Sequence, residues 1–385
     1  MSSVKAKPVT QCHVVAMPYP CRGHINPMMK LCKALASKNS NILVTFVLEA
    51  PFVRLLDQLE PPVTVIMADT FLFWAVGVGN RRNIPVASFW PTSQSMFTII
   101  QHVDLLVKNG QLLADSAKSE VHVDYIPGIS SIQPKNIPFD VRNQQTMQMI
   151  LEVISCVNKA QYLLLTSIYE LESKVFNVLR AKFSFSVYAL GQILPNFDFG
   201  ENTNHNDNNY LHWLDCQPRI SVAQMDEIAV GLRDSGIRFF WVARDETSRL
   251  KELCGHIGLV VPWCNQLRVL SHSSVGGFLS HCGWSSTREG MLCGLPFPTF
   301  PIIFDQILNR WRVKQDIRMD NLVTRVEISR LVQKFMNLEN DEVKEVRTRA
   351  SELQRVCHRA IAKGGSSETS INAFIQDLSH CMVIE

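Results

Sequence analysis

The stretch Phe278-Leu279-Ser280-His281-Cys282-Gly283-Trp284-Ser285-Ser286-Thr287 joins an apolar run to a glycine and a row of hydroxyl residues. It reads as a strand that turns at Gly283 into a helix, which starts near Ser285 and runs past Glu289. The first amides of a helix have no intrahelical acceptor. With the positive end of the helix dipole they favour an anion such as a phosphate. His281 adds a donor at the carboxyl end of the strand, where open parallel sheets bind their ligands. An ordinary serine-capped helix carries the same local signature, so this turn alone does not identify a ligand.

A second candidate is Pro20-Cys21-Arg22-Gly23-His24-Ile25-Asn26-Pro27, which follows the first apolar run. A glycine turn sets His24 just before a helix expected to open with Pro27. Imidazole titrates near neutrality, so a histidine exposed at a strand-to-helix turn is suited to take up a proton. A lone histidine in such a place is more often structural.

These residues need a frame that brings strand ends together, and the chain has the pattern for one. Short apolar runs at His13–Met17, Ile42–Val47, Val63–Met67 and Val86–Trp90 read as buried strands. Between and after them, Asn26–Ser37, Phe52–Leu59, Thr70–Asn80 and Thr92–Val107 read as helices. The alternation resumes with strands at Tyr162–Thr166 and Val187–Leu190 around a helix at Tyr169–Lys182. Further strands are expected at Phe239–Val242, Leu259–Pro262, Gly277–Leu279 and Pro298–Phe300. Repeated strand–helix units of this kind build right-handed crossovers and parallel sheets, an α/β fold. The segment Pro195–Asn209 is rich in Asn and Asp and has no period, so it reads as a linker. Domains of 1–194 and 210–363 follow on either side of a 195–209 linker. The charged stripe of Asp341–Lys363 reads as a surface helix, stopped by Gly364-Gly365, with a last helix in 364–385 running to about Ser379.

Composition narrows the function. At 46% hydrophobic and 19% charged residues, the 385-residue chain can bury sizeable cores, and bulk disorder is excluded. A net charge of only +3 gives no reason to expect a nucleic-acid partner. The 11 cysteines form no C-x-x-C pair, which points to reduced thiols and no zinc site. The polar start MSSVKAKPVTQ lacks a signal-peptide core, and no apolar run is long enough to span a bilayer. A cytoplasmic protein with no integral membrane segment is the expectation.

Taken together, Trp263, Gln266, His281, Gly283, Trp284, Ser286, Glu289, Gly294, Pro296, Pro301, Asp305 and Gln306 form a 44-residue pattern. This pattern resembles the donor-binding box of the plant family 1 UDP-glycosyltransferases. The resemblance extends from His13 to Ser379. It implies the GT-B fold, in which two Rossmann-like parallel-sheet domains face a cleft, with the acceptor mainly in the first domain and the nucleotide sugar in the second. It also implies that the C-terminal helix packs back on the first domain. By the same resemblance Trp263 stacks on uracil, Gln266 fixes the nucleoside and Glu289 accepts from the ribose hydroxyls. His281 and Ser286, at the turn with Gly283, Trp284 and Ser285, hold the diphosphate. Asp305 and Gln306 bind the sugar, with Gln306 matching a glucose-preferring pattern. The histidine of the G-H-x-x-P stretch is the family's catalytic base, here His24, and an Asp after a later strand is its partner, here Asp69. The implied reaction is an inverting, metal-independent transfer from a UDP-sugar to a small lipophilic acceptor (phenolic, flavonoid, terpenoid or hormone-like). No cofactor other than the UDP-sugar co-substrate is implied.

Three places depart from the family pattern. The interval from His24 to Asp69 is short by about one βαβ unit, which takes roughly 30 or more residues. Gln217-Pro218-Arg219-Ile220-Ser221-Val222 runs directly into Ala223-Gln224-Met225, without the strand and Gly-Ser loop of the family. Gln306 is followed quickly by Asn309-Arg310-Trp311. Serine at 285 replaces the family's usual Asn, and Cys21 sits in the turn before His24. Loss of interior strands is therefore expected, and a relative that binds without turnover stands beside the active enzyme as a reading. A hydrolase of the G-x-S-x-G type and a G-x-G-x-x-G dehydrogenase both lack their motifs here.

Overall fold

The computed structural model describes residues 11–48, 51–109, 122–140, 142–193, 220–243, 246–302, 305–313 and 323–380. The expected linker at 195–209 lies outside them. The chain divides into two compact units, one comprising Met1–Cys216 with Arg359–Glu385 and the other Gln217–His358.

Unit 1 is built on six parallel strands: β1 (Cys12–Met17), β2 (Ile42–Phe46), β3 (Val65–Asp69), β4 (Val86–Trp90), β5 (Tyr162–Leu165) and β6 (Ser186–Ala189). Their order is β2-β1-β3-β4-β5-β6. Every residue of β1, β3 and β4 is buried, which is why these strands read as unbroken apolar runs. Helices α1 (Arg22–Lys38), α2 (Phe52–Gln58), α3 (Phe73–Arg81), α4 (Gln94–Gln101), α5 (Val103–Lys108), α6 (Gln144–Val157) and α7 (Ser173–Lys182) connect them. One core joins Met28, Leu31 and Leu35 of α1 to Ile371, Phe374 and Leu378 of the C-terminal helix Ser366–His380. The other joins Phe52 and Leu56 to Ala75, Val76 and Val78 of α3. Tyr188 of β6 donates its hydroxyl to Asp377, tying the C-terminal helix to the sheet.

Two expectations change here. Helix α1 begins at Arg22, so His24 lies in its first turn and Pro27 is inside the helix. The helix expected over 92–107 is two helices that meet at His102. Among the described residues the sheet of this unit is continuous, with β1 pairing directly with both β2 and β3.

Unit 2 is less continuous. Strands β7 (Phe239–Val242) and β8 (Gly258–Val261) pair in parallel as a two-stranded sheet. A separate parallel bridge joins Ser280 to Thr299. Around it, Phe278 N–H donates to Pro296 O at 3.1 Å and Phe300 N–H to Ser280 O at 2.8 Å. Among the described residues these two pieces of sheet do not pair with each other. The strands expected at Gly277–Leu279 and Pro298–Phe300 thus amount to one bridge, since no neighbour extends the ladder. Where a further strand would begin, Ser221 instead caps the helix Val222–Asp234, its hydroxyl accepting from Gln224 N–H at 3.1 Å. One face of β7–β8 is left bare, with Phe240, Val242 and Leu259 40%, 40% and 58% exposed.

Candidate active site

In unit 1 the carboxyl end of β3 carries Asp69, and the first turn of α1 carries His24. His24 Nδ1 lies 2.8 Å from Asp69 Oδ2. The second oxygen, Oδ1, accepts the Phe71 N–H at 3.0 Å. Asp69 is buried and His24 half-buried, with its side chain 16% exposed. An ionised carboxylate only accepts hydrogen bonds, so Nδ1 carries the proton and Nε2 keeps a free lone pair. Tyr19 and Phe71 flank the imidazole at ring separations of 5.4 and 5.5 Å. Phe71 stacks on Trp90 at 5.5 Å, and Trp90 meets Phe97 at 5.0 Å. An aromatic lane therefore leads away from the histidine.

In unit 2 Gly283 caps the helix Trp284–Leu292, so the amides of Trp284, Ser285 and Ser286 form its first turn. Gly283 leaves room for the His281 ring. A Cβ there would lie 2.5 Å from His281 Nε2. Cys282, just before it, is held at φ +65°, a left-handed conformation costing about 1–2 kcal/mol for a residue with a side chain. The turn is fixed from two sides: Ser280 Oγ accepts the Cys282 N–H at 3.1 Å, and Asn309 Nδ2 donates to Cys282 O at 2.9 Å. Strained backbone held by such bonds is a mark of functional turns. His281 is exposed, yet protein packed around part of its ring disfavours the imidazolium and lowers its pKa from 6.5.

Gln266, at the start of the helix Gln266–Leu270, donates from Nε2 to Glu289 Oε2 at 2.8 Å and to Ser286 Oγ at 3.2 Å. The structure thus gathers Gln266, Ser286 and Glu289 into one cluster. Asp305 joins the 282 turn through Asn309, whose Nδ2 also donates to Asp305 Oδ2 at 2.8 Å. Gln306 Oε1 accepts the Ile302 N–H at 2.7 Å. Trp263 lies between β8 and that first helix with its side chain largely in solvent, 63% exposed. Trp284 is buried, and its indole N–H finds no acceptor. Arg288 is buried too, and loss of hydration brings its pKa down to about 10, against the opposing pull of Glu289.

Two contributors escaped the sequence. Asn309 stands one helical turn after Asp305, a spacing shared by countless surface pairs. Phe71 acts through its backbone N–H, which no side-chain pattern records. Among the described residues, no group of three or more His, Cys, Asp or Glu is arranged to hold a metal ion.

The family model described as "UDP-glucoronosyl and UDP-glucosyl transferase" matches residues 219–352. The chain is 39% identical to UDP-glycosyltransferase 87A1 of Arabidopsis thaliana, over 94% of this chain and 99% of that one. It is also 39% identical to UDP-glycosyltransferase 87A2 of the same plant, over 96% and 97%. The alignment with 87A1 runs over 437 positions, more than the 385 residues here, so that relative has internal stretches without a counterpart in this chain. Among solved structures, the chain is similar to Phytolacca americana UGT2 complexed with UDP-2fluoro-glucose and pterostilbene, with a TM-score of 0.77, 22% identity and coverage of 96% and 100%. TcCGT1 in complex with UDP gives a TM-score of 0.79 at 20% identity, with coverage of 96% and 100%. The shared architecture is the GT-B fold.

Proposed function

Because the chain belongs to the plant UDP-glycosyltransferase family, we propose that it moves glucose from UDP-glucose to a hydroxyl of a small lipophilic acceptor, with inversion at the anomeric carbon. The observation that carries this reading is the His24–Asp69 pair at 2.8 Å. Nε2 of His24 takes the proton of the acceptor hydroxyl, and Asp69 stabilises the imidazolium that forms. The acceptor oxygen attacks the anomeric carbon from the face opposite the diphosphate, in one displacement. UDP departs against His281, Ser286 and the first amides of the helix Trp284–Leu292. Trp263 stacks on uracil, Gln266 and Glu289 hold the nucleoside, and Asp305 and Gln306 hold the sugar hydroxyls. Unit 1 takes the acceptor and unit 2 the donor, and no step calls on a metal or a further cofactor. Phenolic and flavonoid acceptors suit the rings of Tyr19, Phe71, Trp90 and Phe97. We read the protein as a cytoplasmic enzyme of secondary metabolism; among the described residues no helix is long and apolar enough to cross a membrane.

A second reading, binding of nucleotide sugar or acceptor without turnover, draws support from the divided sheet of unit 2 among the described residues. Purified protein given UDP-glucose and a panel of phenolic and terpenoid alcohols separates the two. Glycoside and free UDP together support the enzyme, and His24→Ala then stops product while UDP still binds. UDP binding with no glycoside from any alcohol leaves the second reading. A folded sample that binds neither UDP nor any of the alcohols removes both.

A further inference from the structure

Asn309 lies in the helix Asp305–Val313, one turn after Asp305, and is 0% exposed. Its Nδ2 carries two hydrogens, and both are used. One goes to Asp305 Oδ2 at 2.8 Å and the other to Cys282 O at 2.9 Å. A carboxylate and a carbonyl only accept, so the amide can face them only with its nitrogen. The amide oxygen, Oδ1, is buried with no hydrogen-bond partner. Leucine would fill a similar volume without an unmet acceptor, so packing alone does not account for asparagine here. The two donations do.

These donations join two parts of the donor cluster. On one side, the bond to Oδ2 orients the Asp305 carboxylate, which is assigned to the sugar hydroxyls. On the other, Cys282 O belongs to the peptide that carries the Gly283 N–H. A trans peptide is planar with its C=O and N–H antiparallel, so holding the oxygen aims that N–H the opposite way. Among the described residues no backbone oxygen accepts it. It stands just before the first amides of the helix Trp284–Leu292, where the diphosphate is placed. Cys282 is held at φ +65°, which a side chain disfavours, by Asn309 and by Ser280 Oγ, the acceptor of its N–H at 3.1 Å. Loss of Asn309 frees this peptide to turn.

We propose that Asn309 is a positioning residue that couples the Asp305 carboxylate to the diphosphate turn, and so sets how strongly the site prefers a nucleotide sugar to free UDP. A sugar that fixes Asp305 also fixes Asn309 and, through it, the Gly283 N–H. Once the sugar has been transferred that support is gone, and the turn holds the product UDP less tightly than it held the donor. The inference rests on the glycosyl-transfer reading for the roles of Asp305 and the turn.

UDP and UDP-glucose are titrated into the full chain by calorimetry without an acceptor alcohol, so turnover is not required. Asn309→Leu is expected to weaken UDP about tenfold and UDP-glucose about a hundredfold, since it removes a bond to a carboxylate as well as one to the turn. In an Asp305→Ala background the same change is expected to weaken both nucleotides about tenfold, because the coupling it breaks is already absent. Asn309→Ser has a single hydroxyl hydrogen that cannot serve both acceptors. It is expected to shift the preference in the same direction, and it stands in if the leucine variant does not fold. Equal losses for the two nucleotides, or losses that simply add in the double variant, overturn the proposal, since a merely structural side chain loosens both ligands alike. A folded wild-type protein that binds neither nucleotide overturns it together with the donor site. A preference that moves as expected in a protein that forms no glucoside keeps this inference and loses the transferase. Glucoside formation with an unmoved preference does the reverse.

Discussion

His24 and Asp69, 45 residues apart in sequence, meet at 2.8 Å because β3 lies directly beside β1 in the sheet. The pairing brings the first turn of α1, which follows β1, against the carboxyl end of β3. With Oδ1 engaged by the Phe71 N–H, the carboxylate is held and the imidazole tautomer is set.

Asp69→Asn is therefore expected to lower kcat/KM by about 10³–10⁴-fold, because an amide can donate to Nδ1 and select the wrong tautomer. UDP affinity, measured by calorimetry, stays unchanged. A variant with near wild-type turnover would remove Asp69 from this role.

Gly283→Ala separates binding from folding. The backbone at φ −57° and ψ 140° suits alanine, and the added Cβ meets only the His281 ring. The ring moves and the helix does not, so stability changes by less than about 1 kcal/mol. UDP affinity falls about tenfold or more as His281 leaves its position. Parallel thermal melting and UDP titration check both halves.

The depressed pKa of His281 gives a pH prediction. In the free protein the ring is neutral at pH 7. A diphosphate beside it favours the imidazolium, so UDP binding takes up protons as pH falls through and below 6.5. Affinity for UDP then rises on acidification until the free-protein pKa is passed. Calorimetry in buffers of different ionisation enthalpy reads the uptake, and His281→Gln should abolish it. Without UDP the sign reverses for stability: the folded state binds fewer protons than the unfolded chain in that window, so His281 makes folding less favourable as pH falls.

Glu172→Ala tests the support of α4. Its carboxylate takes three buried donors, the N–H groups of Gln94 and Ser95 and the Ser95 hydroxyl at 2.6 Å. Loss of the acceptor leaves the Ser95 N–H and hydroxyl unmet at the positive end of a buried helix, while the Gln94 N–H keeps Ser167 Oγ at 3.1 Å. A destabilisation of about 2–4 kcal/mol is expected in denaturant unfolding. Glu172→Gln, which keeps one acceptor oxygen, should recover part of it.

Much of unit 1 was readable because β1, β3 and β4 are buried on both faces and so appear as apolar runs bounded by turns. Val86–Trp90 agrees to the residue, and β3 runs two residues past its expected end to include Asp69. The start of α1 was misread because proline favours early helical positions, whereas Pro27 sits well inside, where it lacks an N–H to pair with the carbonyl of Gly23. The break at His102 left no trace in the sequence, since apolar spacing continues across it. In unit 2 the box residues were legible as a set, but the bond from Gln266 to Glu289, 23 residues away, depends on a fold that spacing does not encode. The expected departure before unit 2's first described helix was legible only as an abrupt passage at Ser221 into Val222, where that helix begins.

The divided sheet of unit 2 changes what a nucleotide would do for the protein. Trp263 and Gln266 follow the β7–β8 fragment, while His281, Ser286 and Glu289 lie in the connection between Ser280 and Thr299, the two residues of the other fragment's bridge. The side chain of Gln266 reaches from one to the other. UDP seated along both would act as a rivet, its binding free energy added to the cohesion of a core in which, among the described residues, no backbone ladder joins the two fragments. Unit 2 would then melt and exchange its amides at a rate governed by nucleotide concentration, rising in resistance by about 2.7 kcal/mol at a hundredfold excess over Kd. Unit 1, with its sheet unbroken, would be indifferent.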